Sequence, residues 1–289
     1  MHNSKILYEK GILKNLKMLT QTQYSNFKFA GRLDKVKAFY AGMKAISFGE
    51  TAKFQINENG FRIMTENAKS IQASLFITKE VFEEFFLDGE YNFSVNMNIL
   101  VECIGLFAGS DCSMKMFYKG EGAPLIMVIE DHADEDVTTE CSIKTSQFEE
   151  STEYSLNENS PNYNIIFIRG PDMSQIFSEI DKTADELEIT LSPKVPHFRI
   201  ATIGVMQSES NIEVAKTSDM MLMFNCRGDT VTRYKCSHIR LTSKALSACS
   251  KVALKTDSSG LLELHFMIYS SDEAQVYIQF FVLPMVEED

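Results

Sequence analysis

The chain has 289 residues, of which 44% are hydrophobic and 24% charged, and its formal net charge is −12 at pH 7. This composition argues against intrinsic disorder, no apolar run approaches the ~18 residues of a membrane span, and the length favours two domains over one. The acidic excess disfavours a broad nucleic-acid surface but leaves a local one open, because the positions of Lys and Arg decide the field that a ligand meets.

The first 23 residues carry four lysines, at positions 5, 10, 14 and 17. They contain neither the apolar core of a secretory signal nor the Arg- and Ser-rich bias of a mitochondrial presequence. The sequence therefore predicts a weakly structured N-terminal extension over residues 1–23.

In the first half, the asparagine–glycine pair Asn59-Gly60 is a strong hairpin signal. Apolar residues recur at steps of three and four in two segments, which predicts the helices Leu33–Ile46 and Met97–Ala108. Short runs with period-two alternation predict strands at Phe27–Arg32, Thr51–Asn57, Phe61–Thr65, Ser70–Ile77, Tyr91–Asn96, Ser113–Tyr118, Pro124–Glu130 and Thr138–Thr145.

Residues 146–162 lose this periodicity and are rich in Glu, Asn and Ser. Such a stretch is typical of a linker. We therefore predict one domain over residues 24–145, a linker over 146–162 and a second domain over 163–289.

In the second half, proline at the first helical position supports the helix Pro171–Asp181, and a second helix is predicted at His238–Lys251. The predicted strands are Tyr163–Arg169, Ala184–Leu191, His197–Thr202, Glu209–Ala215, Thr230–Cys236, Val252–Thr256, Leu261–Tyr269 and Gln275–Leu283. Each half therefore repeats a strand–helix–three-strand unit twice, giving four βαβββ copies. Runs of strands with single helices predict an α+β fold with antiparallel sheets and helices on one face.

This two-domain βαβββ pattern with an acidic linker is similar to eukaryotic sliding clamps of the PCNA type, and the segment Phe281–Asp289 resembles their last strand and acidic tail. Four further stretches, in the right order, resemble the Rad-one-type subunit of the heterotrimeric nine-one-one checkpoint clamp: Glu66–Ala73, Pro124–Glu130, Ser218–Phe224 and Ser243–Val252. The resemblance covers about residues 20–289 of the chain.

The resemblance implies a DNA clamp fold, with helices lining the inside of a ring and antiparallel sheets outside. It further implies a non-catalytic subunit without cofactor, and a ring completed by two different clamp subunits. A clamp loader would place that ring on double-stranded DNA at sites of damage in the nucleus. There it would serve checkpoint and repair proteins as a platform, without sequence preference and without contact with a membrane.

A ring that slides on DNA needs attraction to phosphates that is long-range and blind to sequence. Two of the four predicted helices, Leu33–Ile46 and His238–Lys251, carry an excess of positive charge. The candidate DNA-facing residues are Lys35, Lys37, Lys44, Arg240, Lys244 and Lys251. The alternative interpretation is that these are ordinary solvated faces of amphipathic helices.

Ring closure needs sheet edges whose unpaired backbone groups accept another chain's strand. By position, Thr138–Thr145 and Glu209–Ala215 are the predicted joining edges. The candidate interface residues are Thr138, Glu140, Ser142, Lys144, Asn211, Glu213 and Ala215. The alternative places both strands inside their sheets.

In replicative clamps, the linker and an adjacent apolar pocket hold partner peptides. Here the corresponding segment, Glu66–Ala73, is polar and contains a lysine, which disfavours the ordinary clamp-binding motif. Phe148, Tyr154 and Pro284 remain candidates for contact with some other peptide.

The acidic run Glu130–Asp136 suggests a rival function, a metal-dependent exonuclease acting in DNA repair, because paired carboxylates can hold two Mg²⁺ ions. All of these carboxylates come from one predicted hairpin, whereas working sites gather ligands from several rigid elements. A solvated turn is therefore favoured. The sequence also lacks the nucleophile-elbow, P-loop, HExxH and CxxC motifs, so we predict no catalytic centre and no metal site.

Overall fold

The structure, a computed structural model, describes residues 26–34, 36–106, 111–132, 138–181, 183–204, 209–269 and 275–286. The predicted N-terminal extension lies outside these ranges. Among the described residues, no helix combines the length and the apolarity that crossing a bilayer requires.

The described residues of the first half form nine strands, two α-helices and a short 3-10 helix, Lys79–Val81. The helices are α1 (Val36–Ala45) and α2 (Met97–Gly105). The strands are β1 (Phe29–Leu33), β2 (Thr51–Asn57), β3 (Gly60–Asn67), β4 (Ile71–Thr78), β5 (Glu84–Leu87), β6 (Tyr91–Asn96), β7 (Cys112–Tyr118), β8 (Leu125–Asp131) and β9 (Thr138–Ile143).

The described residues of the second half form nine strands and three helices. The helices are α3 (Gly170–Glu179), α4 (Cys236–Leu241) and α5 (Ser243–Ala248). The strands are β10 (Asn164–Arg169), β11 (Glu186–Leu191), β12 (Phe198–Ile203), β13 (Glu209–Val214), β14 (Met221–Cys226), β15 (Thr230–Lys235), β16 (Lys251–Thr256), β17 (Leu262–Tyr269) and β18 (Gln275–Val282).

The predicted order of βαβββ units is present four times, and two strands join it that the sequence did not predict. These are β5, which ends the first unit, and β14, which ends the third. Both contain consecutive apolar residues, Phe85-Phe86-Leu87 in β5 and Met221 to Phe224 in β14. Period-two alternation, the signal of a half-buried strand, is therefore absent from both.

The strands form three antiparallel sheets. One sheet has the order β5-β1-β7-β8-β9 and another the order β13-β12-β11-β15. The third, β14-β10-β16-β17-β18-β4-β3-β2-β6, contains strands of both halves, because β18 pairs with β4 from Tyr277–Phe76 to Val282–Ile71. The predicted α+β class with antiparallel sheets is confirmed.

A polar network ties three neighbouring strands of the nine-stranded sheet together. Glu263 on β17 accepts hydrogen bonds from Lys255 Nζ on β16 at 3.1 Å and from Gln279 Nε2 on β18 at 2.9 Å, and the imidazole of His265 lies against the same carboxylate. Burial opposes the ionisation of Glu263, but the hydrogen bond and charge of His265, with Gln279 and Lys255, outweigh it and lower the pKa to about 2.

The β2–β3 hairpin depends on glycine at its turn, as the sequence predicts. Gly60 has φ +127°, and a Cβ there would lie 2.1 Å from the carbonyl oxygen of Ile77. Gly122 also has a positive φ, +77°, but no atom lies within 4 Å of the position of its Cβ. Substitutions at these two positions therefore distinguish the cost of a positive φ from the cost of steric overlap of the added Cβ.

We expect Gly60→Ala to destabilise the chain more than Gly122→Ala. Positive φ alone costs an L-residue about 1–2 kcal/mol, and overlap with Ile77 raises the cost at Gly60 to about 3 kcal/mol or more. Urea denaturation of both variants measures the difference. Equal losses of unfolding free energy would show that steric overlap adds nothing.

We expect Glu263→Gln to remove a pH-dependent part of the stability. The folded-state pKa of Glu263 lies below its ordinary value of 4.5, so its contribution is present above about pH 4.5 and is lost as the pH falls toward 2. The variant should therefore be less stable at neutral pH, by about 1–2 kcal/mol after allowance for solvent screening. Urea titrations from neutral to acid pH should show this gap closing, whereas Glu150→Gln in the exposed linker should run parallel to the parent.

Candidate nucleic-acid interface and subunit edges

The helices form one connected layer, in which α1, α2, α3 and α5 contact the nine-stranded sheet and α4 contacts α5 and strand β15 of the four-stranded sheet. Helix α1 packs against β4, β17 and β18, and α3 packs against β10 and β16. Helix α5 contacts both α1 and α3, and α2 contacts α1. The helices of the two halves therefore present their exposed side chains on one shared surface, called the helix layer below.

Helix α1 supplies two of the predicted cations to the helix layer. Lys37 and Lys44 are exposed, on the side of α1 away from the buried Phe39 and Met43. The Lys44 ammonium lies 5.7 Å from the centre of the Tyr40 ring. Lys35 lies outside the described residues.

The predicted helix His238–Lys251 is wrong in its continuity and in its end. Two short helices, α4 and α5, meet at the buried Thr242, whose hydroxyl donates to the Ile239 carbonyl at 2.7 Å. A threonine hydroxyl that bonds to the backbone in this way competes with the helical ladder. Helix α5 ends at Ala248, because Cys249 is extended with φ −93° and ψ 150°.

Lys251, one of the DNA-facing candidates, lies on a strand and not on the helix layer. It is the first residue of β16, and its ammonium lies 5.2 Å from the centre of the Phe167 ring. Because successive side chains of a strand alternate, Lys251 shares the face of Ala253 and Lys255, opposite the face on which Val252 and Leu254 pack into the core. The prediction that Lys251 lies on a helix is therefore wrong.

Arg240 and Lys244 are both exposed on the helix layer, but Arg240 is also an anchor. Its Nη2 donates to the backbone carbonyls of Asp181 at 2.9 Å and Ala184 at 3.3 Å. These bonds hold α4 to the loop between α3 and β11. Loss of this side chain would therefore change local structure as well as charge.

Sequence reasoning missed one cation beside the layer. Lys235 is exposed, ends β15 and directly precedes α4. Burial, together with the charge of Lys235, lowers the pKa of the neighbouring His238. The sequence does contain a signal for this residue. Lys235 directly precedes α4, which has no acidic residue in its first turn, and so it extends the positively charged stretch of that helix.

The two predicted joining strands lie at sheet edges. Strand β9 ends the five-stranded sheet and β13 ends the four-stranded one, and no other described strand pairs with their outer sides. Of the interface candidates, Thr138 is half-buried and the others are exposed: Glu140, Ser142, Lys144, Asn211, Glu213 and Ala215. The alternative in which these strands lie inside their sheets is excluded for the described part of the chain.

The segment that follows β9 is fastened to the β3–β4 hairpin. Gln72 Nε2 donates to the Thr152 carbonyl at 3.0 Å, and the Tyr154 hydroxyl donates to the Lys69 carbonyl at 3.0 Å. Arg62 forms an ion pair with Glu153 at 2.8 Å. The linker therefore lies against the β3–β4 hairpin, which contains most of the segment Glu66–Ala73.

The three candidates for peptide contact each lie against other residues of the described chain and not against one another. The Tyr154 ring lies 6.0 Å from that of Phe281, Pro284 is half-buried near Gly260, and Phe148 is half-buried in the linker. Tyr154 is already engaged by the β3–β4 hairpin. Its role as a contact for another peptide stays a prediction.

The acidic run shows ordinary ion pairing where it is described. Glu130 accepts from Lys115 at 3.1 Å, and His132 lies 3.6 Å from Asp111. Asp134 and Asp136 lie outside the described residues. Within the part of the chain that the structure covers, no group of three or more His, Cys, Asp or Glu is placed to hold a metal ion.

A family model described as repair protein Rad1/Rec1/Rad17 matches residues 28–268 of the chain. The DNA repair protein Rad1 of Drosophila melanogaster is 44% identical over 266 residues, which cover 92% of this chain and 97% of that protein. The cell cycle checkpoint protein RAD1 of Homo sapiens is 33% identical over 270 residues, covering 91% of this chain and 94% of that protein.

Among solved structures, the proliferating cellular nuclear antigen of Entamoeba histolytica superposes with a TM-score of 0.74. The superposition covers 90% of this chain and 100% of that one at 16% sequence identity. At this identity the likeness concerns the fold, and it confirms the predicted DNA clamp fold.

Proposed function

The chain belongs to the Rad1/Rec1/Rad17 family of repair proteins, and from that membership we propose that it is a non-catalytic subunit of a ring-shaped DNA clamp. In this proposal, two different clamp subunits complete the ring, and a clamp loader places it on double-stranded DNA at damage in the nucleus. The ring then serves checkpoint and repair proteins as a platform. The observation that carries the proposal is the set of exposed lysines on α1 and α5, helices that contain no acidic residue, together with the two unpaired edges, β9 and β13.

The helix layer supports sequence-independent attraction to DNA. Lys37, Lys44 and Lys244 are exposed there, and none of them forms an ion pair with a carboxylate of the described residues. Lysine ammonium groups on flexible stems attract phosphates over a distance without reading bases. A surface of this kind suits a protein that must remain on DNA and still slide.

The charges of the two edges support a ring built from unlike subunits. The charged residue of β9 is Glu140, and those of β13 are Glu209 and Glu213, all exposed. A register that sets Glu140 of one copy opposite Glu209 or Glu213 of another would bring two acidic side chains together, and like charges on facing strands destabilise a sheet. Partner subunits with other edge sequences avoid this repulsion.

We expect the triple variant Lys37→Glu, Lys44→Glu and Lys244→Glu to leave DNA faster than the parent once assembled with its partner subunits. Each lost phosphate contact lowers the slope of log affinity against log salt by about 0.9, so the slope should fall by up to about 3. Retention of the loaded ring on nicked circular DNA, measured over a salt series, tests this.

The matched control is Lys69→Glu, Lys79→Glu and Lys194→Glu, which reverses three exposed lysines that lie outside helices α1 to α5 and outside the edge strands β9 and β13. The control should retain the parental slope. An equal loss of DNA retention in both triple variants would mean that the net charge of the chain, and not the helix layer, governs retention. Unchanged retention in the first triple would refute the assignment of the DNA-facing surface.

We expect a proline scan through β9 and β13 to block ring assembly at alternate positions. Along an edge strand, successive N–H groups point alternately to the neighbouring strand and outward. A proline that removes an outward N–H leaves the chain folded but deletes a bond to the partner subunit. Native mass measurement after co-expression with candidate partner subunits, with circular dichroism to select folded variants, gives the readout.

The matched control is the same scan through β14, which is also an edge strand but has no proposed partner. Its folded variants should all assemble. Assembly by every folded β9 and β13 variant would contradict the assigned edges. A stable ring of three identical chains would contradict the proposed unlike subunits while leaving the clamp architecture in place.

A further inference from the structure

Two thiols meet where helix α2 packs against the edge strand β9. Cys103 lies on α2 and Cys141 on β9, and both are half-buried, free cysteines packed against the main core. The two elements are in contact, and the two side chains are within hydrogen-bond reach of each other. Sulfurs at that separation need to approach by about 2 Å or less to reach the length of a disulfide bond.

The backbone of β9 directs Cys141 toward this contact. Successive side chains of a strand alternate between its two faces, so Cys141 shares a face with the buried Ile143, whereas the exposed Glu140 and Ser142 share the other. Within the described sheet, β9 has one neighbouring strand, β8. A covalent bond at Cys141 would therefore fasten an edge strand to a helix without covering Glu140 or Ser142.

The surroundings of the pair give its two sulfurs different roles. Burial, followed by the hydrogen bond to Cys103 and the charge of that residue, raises the pKa of Cys141 to about 11. Cys141 therefore keeps its proton at pH 7. Because the thiolate is the form of cysteine that attacks an oxidant, Cys103 is the sulfur that reacts first, and Cys141 is the sulfur that reacts with the product.

We propose that Cys103 and Cys141 are a modification site at which hydrogen peroxide forms a reversible disulfide that fastens β9 to α2. The Cys103 thiolate attacks one peroxide oxygen and the O–O bond breaks, which leaves a sulfenic acid and a hydroxide that takes up the proton released by Cys103. The Cys141 sulfur then attacks the sulfenic sulfur, the S–O bond breaks, and the leaving hydroxide takes the proton of Cys141. The two thiols lose two electrons, and the peroxide is reduced to two waters.

The other four cysteines are less suited to this reaction. Cys112, Cys236 and Cys249 expose no more than 6% of their surfaces, so peroxide reaches them poorly. Cys226 is half-buried, but burial raises its pKa to about 12, so at neutral pH it is almost entirely the less reactive thiol. We therefore expect selective oxidation of the pair between α2 and β9. Because both sulfurs of that pair belong to one chain, the site exists whether or not the chain enters a ring.

Peptide mapping of the full chain tests the proposal. After treatment with hydrogen peroxide and blocking of the remaining thiols with N-ethylmaleimide, digestion before each aspartate separates Cys103 from Cys112, because Asp111 lies between them. We expect one cross-linked species, in which residues 88–110 are joined to residues 136–171, and a dithiol reductant should release both peptides. A cross-link between other cysteines, a cross-link between two chains, or thiols that all remain reduced would overturn the proposal.

Matched serine variants test the order of attack. Cys103→Ser and Cys141→Ser should each abolish the cross-link, whereas Cys226→Ser, which replaces another half-buried cysteine on a strand, should keep it. Cys141→Ser should leave a sulfenic acid on Cys103 that dimedone labels, and Cys103→Ser should leave Cys141 largely unlabelled. Equal labelling in the two variants would overturn the assigned roles of the two sulfurs.

Amide hydrogen exchange tests whether the disulfide restrains the edge strand. An edge strand opens locally at a low free-energy cost, and a covalent link to α2 opposes that opening. Exchange of the β9 amides should therefore slow several-fold on oxidation and recover with a dithiol reductant, and it should not change in Cys141→Ser treated in the same way. Unchanged exchange in the cross-linked parent would refute the fastening of β9.

Discussion

The pairing of β18 with β4 is the interaction on which the rest of the structure depends. It joins five strands of the second half to four of the first, so that one continuous sheet supports helices from both. Without it, α1 would lose the strands β17 and β18 against which it packs. The helix layer, and with it the arrangement of its cations, follows from a hydrogen-bonded register between residues about two hundred positions apart in the sequence.

Much of this fold was predictable because the local signals agree with the global arrangement. The strands β2 and β6 match their predicted bounds, and the Asn59-Gly60 turn lies where the hairpin signal placed it. Strands β5 and β14 were missed because they are apolar on both faces, which removes the alternation. The pairing between halves was also beyond the sequence, since periodicity describes one strand at a time and not its neighbour in space.

The candidate site was predicted in part, for reasons that differ between residues. Lys37, Lys44 and Lys244 lie on described helices as expected. Lys251 was misplaced because Ser243–Val252 contains good helix formers up to a boundary that only the extended Cys249 reveals. The hydrogen bonds from Arg240 to Asp181 and Ala184 join residues nearly sixty positions apart, so no local sequence pattern predicts them. The net charge of the chain was the poorest guide to a DNA-facing surface, because the acidic residues that make the chain negative lie outside α1, α4 and α5.

The two exposed edges, β9 and β13, also affect the chain before it assembles into the proposed ring. An unpaired edge accepts any strand of suitable register, including one from a misfolded neighbour, and is therefore a template for aggregation. Strands β9 and β13 are only six residues long, and each carries at least one glutamate, which limits this hazard without abolishing it. In the proposed ring, chains made in excess of the other subunits would keep these edges open to chaperones and proteases, so cellular abundance should follow the supply of those subunits.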